Sequence, residues 1–315
     1  MDGPLAGAAG DALAYPEIMR LLPILLLIPL LHADDLTKKM TARVSEEAEA
    51  FQRLAPEVLG EETLHQRSMK PPHRFRPRIG NAVNEAPKAE YQERTIISEY
   101  GFTLLGGDGG EKTLHEIRQV TSVDGKKIQD SKKAQAALAK AITANDDGRK
   151  EALLKQFEKY GLLGAVTDYG QALLLFTRRN IARYEFTNQG VNFLNGQKLL
   201  VFGFRQIDGP EAVTLIEEKR NNRVRDLRIE GQIWVRSDNF VPLRIIMRAH
   251  QNWSTDPVWE DASIDYAMSP YGALLPVKTE HRETRAGKIT AENNFEYTNF
   301  KKFGASSDIT FDTDK

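Results

Sequence analysis

Apolar and polar positions alternate strictly through the last third of the chain. Val241, Leu243, Ile245, Met247 and Ala249 share one parity, and Arg244, Arg248 and His250 take the other. Ala262, Ile264, Tyr266 and Met268 repeat the pattern against Asp261, Ser263 and Asp265. A period of two belongs to antiparallel strands with one covered and one wet face. The pattern predicts strands at 225–235, 241–250, 260–268, 274–285 and 288–301. Ser237-Asp238-Asn239, Ser269-Pro270-Tyr271-Gly272 and Ala286-Gly287 supply the turns between them.

The N-terminal part follows a different period. Leu36, Met40, Val44, Ala48, Phe51, Leu54, Ala55, Val58 and Leu59 recur at spacings of mostly three and four, which predicts an amphipathic helix over Asp34–Leu59. Asp34 and Asp35 suit its N-terminus, and Pro56 predicts a kink or an early stop. Residues 67–88, with Pro71, Pro72, Pro77 and Pro87, read as an extended loop, and the basic run at 73–78 as a solvated part of it. Strands are expected at 89–105 and 111–123, with Asp124-Gly125 as a hairpin signal. Helical spacing returns over 131–160, within a helical insertion at 131–164. Asp168–Phe176 reads as either a short helix or a buried strand. Further strands are expected at 181–188 and 197–206, around Asn195-Gly196.

The fold class expected is therefore mainly β (α+β). A strongly curved antiparallel sheet, an open half-barrel, carries an N-terminal amphipathic helix and a helical insertion. Residues 34–303 are expected to form one domain, followed by a flexible tail at 304–315.

Composition narrows the function. The 315 residues carry 43 Lys+Arg against 44 Asp+Glu, so the whole chain exerts no pull toward nucleic acid. With no cysteine there is no disulfide, thiolate nucleophile or Cys-based metal site. Leu21–Leu31 is apolar but too short to span a bilayer, and Pro23 and Pro29 interrupt it. With Met19-Arg20 before it and His32-Ala33-Asp34 after it, the order matches a secretory signal peptide at about 19–33, cleaved after Ala33. Residues 1–18 hold acids and no base, the wrong sign for such a leader, which suggests that translation starts at Met19 rather than Met1. The expected location is periplasmic or secreted, with no integral membrane span.

No catalytic signature stands out. GxSxG, SxxK, HExxH and a phosphate loop are all missing from the sequence. His115 and Glu116, adjacent on one strand, point to opposite faces. Asp261 and Asp265 share a face, where solvation outweighs acid–base catalysis as an explanation. Trp234 falls on the wetter face; Trp253 and Trp259 are further candidates for a ligand groove. The expectation is a protein that is not an enzyme and that uses no cofactor or metal.

The order of elements resembles the LolA/LolB-type lipoprotein-carrier superfamily. The resemblance rests on the helix containing Leu36, Met40 and Ala48-Glu49-Ala50-Phe51-Gln52. It continues in Gly231-Gln232-Ile233-Trp234-Val235, Val241-Pro242-Leu243-Arg244-Ile245, Leu274-Leu275-Pro276 and Phe295-Glu296-Tyr297-Thr298-Asn299-Phe300. It implies a half-barrel of about eleven strands with helices plugging its mouth. It also implies an activity of holding a lipid, an amphiphile or a lipoprotein acyl chain, or of binding an extracytoplasmic protein partner. The apolar residues expected to line such a cavity are Met40, Val44, Phe51, Leu243, Ile245, Met247, Ile264 and Tyr266. The second reading is a structural or regulatory interaction module of the same fold without a small ligand.

Overall fold

The computed structural model describes residues 27–70, 88–106, 112–144, 147–162, 164, 168–210, 213–216, 224–251 and 257–303. Helix α1 spans Leu27–Leu54, and a 3-10 turn at Ala55–Glu57 leads into strand β1, Val58–Met69. The next strands are β2 Tyr91–Gly106, β3 Lys112–Val123 and β4 Lys126–Lys127. Helices α2 Ser131–Thr143 and α3 Asp147–Tyr160 follow, and then a 3-10 segment at Ala172–Phe176. The remaining strands are β5 Tyr184–Leu194, β6 Gln197–Gln206, β7 Val213–Ile216, β8 Val224–Leu227, β9 Ile229–Arg236, β10 Pro242–Gln251, β11 Val258–Met268, β12 Leu274–Arg285 and β13 Lys288–Lys302.

Eleven strands form one antiparallel sheet in the order β4-β3-β2-β1-β13-β12-β11-β10-β9-β6-β5, and β7 pairs with β8 separately. The mainly β, open half-barrel architecture is thus present. The two ends of the order do not pair with each other, so the sheet does not close. Its curvature is visible at Gly170, which touches Tyr100 on β2 and Pro276 on β12, while its carbonyl accepts from Tyr266 on β11.

Strands such as β9 and β11 are divided by parity between a covered and a wet face, whereas β2 and β3 are buried on both faces at 98–103 and 116–121. Ile233, Ile245, Ile264 and Phe295 face inward and are at most 1% exposed. The outer face carries charges that alternate in sign from strand to strand. Glu230 lies opposite Arg248, Arg248 opposite Asp261, Asp261 opposite Arg282, Arg282 opposite Glu292, and Glu292 opposite Arg67. Such cross-strand neighbours favour this register and penalise a one-residue slip. The two same-face acids noted in the sequence, Asp261 and Asp265, are paired with Arg248 and Arg244 at 2.5 Å each.

α1 lays Met40, Val44, Ala48, Phe51 and Leu54 on the inner face, all buried. Fully burying a side chain such as Phe51 or Met40 contributes roughly 1.5–3 kcal/mol. α2 covers the outer face near the other end of the sheet. There Leu138 and Ala141 pack with Leu59 and Ile117, and Ile142 fills the space over Gly101.

Four expectations are corrected. The N-terminal helix ends at Leu54, because Pro56 enters the 3-10 turn, and Val58 and Leu59 belong to β1. At its start, Asp34 and Asp35 lie inside the helix and pair with Lys38 and Lys39 at 2.6 Å, rather than capping it. Residues 225–235, read as one strand, are divided at Arg228 between β8 and β9, which belong to different sheets. The strand expected from Ile181 starts at Tyr184, after a 3-10 turn at Ile181–Arg183, and runs on to Leu194. Of the loop expected at 67–88, Arg67 to Met69 belong to β1 and residues 71–87 lie outside the described residues, as do residues 1–26, Trp253 and the tail from 304.

Candidate functional site

The inner face of the half-barrel is covered by a plug made of α1 and the Ala172–Phe176 turn. The two parts are tied by Ser45, whose hydroxyl donates to the Phe176 carbonyl at 2.9 Å, and by Glu49, which accepts the Arg178 amide at 3.2 Å. Between them, Phe176 meets Phe204 edge-on at a ring separation of 5.1 Å. Of the residues expected to line a cavity, Met40, Val44, Phe51, Ile245 and Ile264 are fully buried. Met247 and Tyr266 are nearly so. Leu243 is partly buried against the same core. All eight therefore belong to one apolar cluster on the concave side, with the plug in place.

A buried charged cluster lies at the β1–β3 end of this face. Arg118 donates Nε and Nη2 to Glu62 at 2.7 Å each, and Nη2 also reaches Glu116 at 2.7 Å. All three side chains are at most 1% exposed. The guanidinium carbon lies 4.9 to 5.6 Å from the ring centres of Phe157, Tyr100 and Phe295. Two carboxylates share one guanidinium in an apolar surround, so the second acid is poorly compensated. Burial pushes Glu116 up to about 7, with Arg118 opposing and Asp168 and Glu62 adding to the rise.

The cluster is joined to the plug through the backbone. Glu116 accepts the Gln171 amide at 3.2 Å. Tyr266 donates its hydroxyl to the Gly170 carbonyl at 3.0 Å and accepts the Leu173 amide at 3.1 Å. A Cβ at Gly170 would stand 2.8 Å from Glu116 Oε1 and 2.9 Å from Tyr100 Oη, so any side chain there would have to displace one or both. Asp168 accepts the Glu116 amide at 2.7 Å and bonds His115 Nδ1 at 3.0 Å. His115 and Glu116 do point to opposite faces, and Asp168 joins them by holding one side chain and the other's backbone. That hydrogen bond to Asp168 raises His115 above its ordinary range, against the effect of burial. Residues 168–173 thus form a strap between β3, β11 and the plug.

Leu162, Gly164 and Tyr169 also have partners on the inner face. The carbonyl of Leu162 accepts from Gln66, whose Oε1 takes the Leu162 amide at 2.6 Å. Asn293 donates to the Gly164 carbonyl at 2.9 Å, and Tyr169 lies over His281 with ring centres 5.1 Å apart. His281 is bonded to Glu260 at 2.6 Å. Sequence reasoning missed Glu62, Gln66, Arg118, Asn293 and Asp168 as site residues. The available signal was charge or amide on the same parity as buried Leu64 in β1 and Leu114 in β3.

Two hollows, of about 630 and 480 Å³, lie on the outer face. They adjoin at Ile246, Arg248 and Asp261, and their walls are mostly charged or amide side chains. Trp259 stands beside Arg248, stacked on His250 at 4.7 Å, and Trp234 donates its indole N–H to Gln232. Among the described residues there is no group of three or more His, Asp or Glu arranged to hold a metal ion. Nor is any described helix long and apolar enough to cross a membrane.

No family model matches the chain, and no curated protein matches it. Solved structures do show a likeness. One is a DUF1329 family protein from Desulfovibrio piger ATCC 29098, with a TM-score of 0.34, 9% identity, and coverage of 85% of this chain and 93% of that one. A LolA superfamily protein from Nitrosomonas europaea follows with a TM-score of 0.29, 9% identity, and coverage of 83% and 92%. An outer membrane lipoprotein-sorting protein domain from Vibrio parahaemolyticus has a TM-score of 0.28, 10% identity, and coverage of 84% and 95%. At these TM-scores the likeness carries no argument.

Proposed function

We propose that this protein is an exported, non-catalytic carrier that takes a lipid, amphiphile or lipoprotein acyl chain into the half-barrel when the plug moves aside. The supporting observation is the form of the cover. The apolar floor made by Ile233, Ile245 and Ile264 is roofed by one helix and one 3-10 turn, rather than by a second sheet. Helix and turn are joined to each other by the Ser45 and Glu49 hydrogen bonds, so they can leave as a unit. Met40, Val44 and Phe51 would then line the ligand from the roof. Leu243, Ile245, Met247, Ile264 and Tyr266 would line it from the floor. In this reading residues 19–33 are a signal peptide cleaved after Ala33, residues 34–303 act as one unit, and the site of action is periplasmic or secreted.

A second reading is favoured by the complete burial of five of those eight residues with the plug in place. A floor already filled by its own chain suits an interaction module that binds an extracytoplasmic protein partner. Native mass spectrometry of the mature chain, Asp34–Lys315, purified from its export compartment and extracted with organic solvent, separates the two. A stoichiometric amphiphile supports the carrier. A clean apo mass that stays unchanged after incubation with phospholipid overturns it in favour of the module.

A further inference from the structure

The strap at residues 168–173 is anchored to β3 by two titratable side chains, Glu116 and His115. We propose that Glu116 and His115 form a proton-controlled latch on this strap, tightening the plug when protonated and loosening it when deprotonated. The inference rests on the reading that the plug moves, and it adds what would control the motion.

The geometry places both groups at the joint. Glu116 reaches the strap at Gln171, and His115 reaches it at Asp168. Four residues of chain, Asp168 to Gln171, therefore have two titratable anchors on one strand, β3. Tyr266 fixes the strap from the opposite wall, through Gly170 and Leu173. The plug segment begins within the strap, at Ala172, directly after Gln171. A change at β3 thus acts on the plug's attachment point.

The charged and titratable groups around Glu116 come from every wall of the site. β1 contributes Glu62, β2 Tyr100, β3 Arg118 and His115, β11 Tyr266, β13 Tyr297, and the strap Asp168. Arg118 is the single cation that is always charged, and it is already shared with Glu62. With Glu116 ionised, three carboxylates (Glu62, Glu116 and Asp168) therefore face Arg118 and His115. Protonating Glu116 and charging His115 brings this count to two anions and two cations.

Both groups respond to pH in the same direction. Burial raises Glu116 from 4.5 to about 7 in the closed form, so the closed form holds the proton more strongly than an opened, hydrated one. Its contribution to closure is complete below 4.5 and is lost as pH rises through about 7. The Asp168 hydrogen bond raises His115 from 6.5, so its contribution is complete below 6.5 and is lost as pH rises through its elevated value. Acid closes the plug, and mild alkali releases it.

Hydrogen exchange of the ligand-free full chain between pH 5.5 and 8, corrected for intrinsic exchange, tests the latch. Opening of peptides covering 169–176 is expected to rise by roughly tenfold or more across that range, while the β10–β11 amides stay level. In Glu116→Gln the rise is expected to shrink severalfold, and His115→Gln should remove part of the remainder. A wild-type strap with no pH dependence, or one that loosens only in step with β10–β11, overturns the latch. So does a folded Glu116→Gln protein that keeps the full rise. Should Glu116→Gln not fold, the wild-type comparison of strap with sheet still decides. Because no ligand is present, the result is independent of whether an amphiphile binds.

Discussion

Arg118 and Glu62 face each other through a two-bond fork, Nε and Nη2 each 2.7 Å from a carboxylate oxygen, with both side chains 1% exposed. A pair taken so fully out of water gains less from attraction than its distances suggest, because both ions have lost their hydration. Breaking it from one side is another matter. Arg118→Met leaves Glu62 and Glu116 buried without a cation and is expected to cost about 3–5 kcal/mol in urea unfolding. Arg118→Lys keeps the charge but loses the fork, and should recover only part of that loss.

Phe51 anchors the plug from α1, edge-on to Phe102 at a ring separation of 5.2 Å. Phe51→Ala should destabilise the protein by about 3–5 kcal/mol in denaturant unfolding. In the carrier reading it should also increase uptake of a fluorescent fatty amphiphile, because the roof fits less tightly. Ser45→Ala, which removes the tie to Phe176, is expected to cost about 1 kcal/mol and to change uptake in the same direction.

Gly231 on β9 sits where the neighbouring backbone comes close, and a Cβ there would fall 1.9 Å from the Ile246 carbonyl oxygen. Rigid backbone cannot yield by that much without losing the local β9–β10 ladder. Gly231→Ala is expected to lower stability by at least about 2 kcal/mol, seen as a fall in Tm by calorimetry. By contrast, Gly125 has open space around it but a φ of +76°, so Gly125→Ala carries backbone strain alone, about 1 kcal/mol.

Five tyrosines are held above their ordinary range by burial: Tyr100, Tyr169, Tyr184, Tyr266 and Tyr297. Tyr184 is pushed up to about 12. An alkaline titration followed at 295 nm should show these five phenols ionising only as the fold opens. These are acids raised on folding, so they weaken stability progressively once pH exceeds 10. A single transition near 10 for all nine tyrosines would contradict the burial.

The outer-face pair Arg244 and Asp265 is about one quarter exposed on each side. Asp265→Asn should therefore cost about 1 kcal/mol or less, and the cost should shrink in high salt. A large, salt-independent loss would mean that this face is covered in solution.

The strands β10 and β11 were legible because their inner positions, Glu260 apart, are apolar, and alternation then reports the covered face directly. β1 was not. Its inward residues include Glu62, Gln66 and Ser68, which are buried at 0 to 2% exposure, so the expected contrast between parities is absent. Glu62 binds Arg118 and Gln66 holds Leu162, so the polar bonds that built the site erased the signal of the strand that carries it. The helix boundary was half legible. Pro56 marked the stop, but Val58 and Leu59 continued the helical spacing because they serve opposite faces of β1. No local pattern joined Asp168 to His115, because that contact depends on where the chain re-enters the barrel after α3.

The seam between β1 and β13 pairs residues from Val58 to Ser68 with residues from Lys302 back to Ala291. The first described strand therefore waits for the last described one, and this central ladder cannot form until everything between Val58 and Lys302 has been made. Contacts so distant in sequence slow folding and leave apolar strands uncovered in the growing chain. A polypeptide wired this way commits its central seam late.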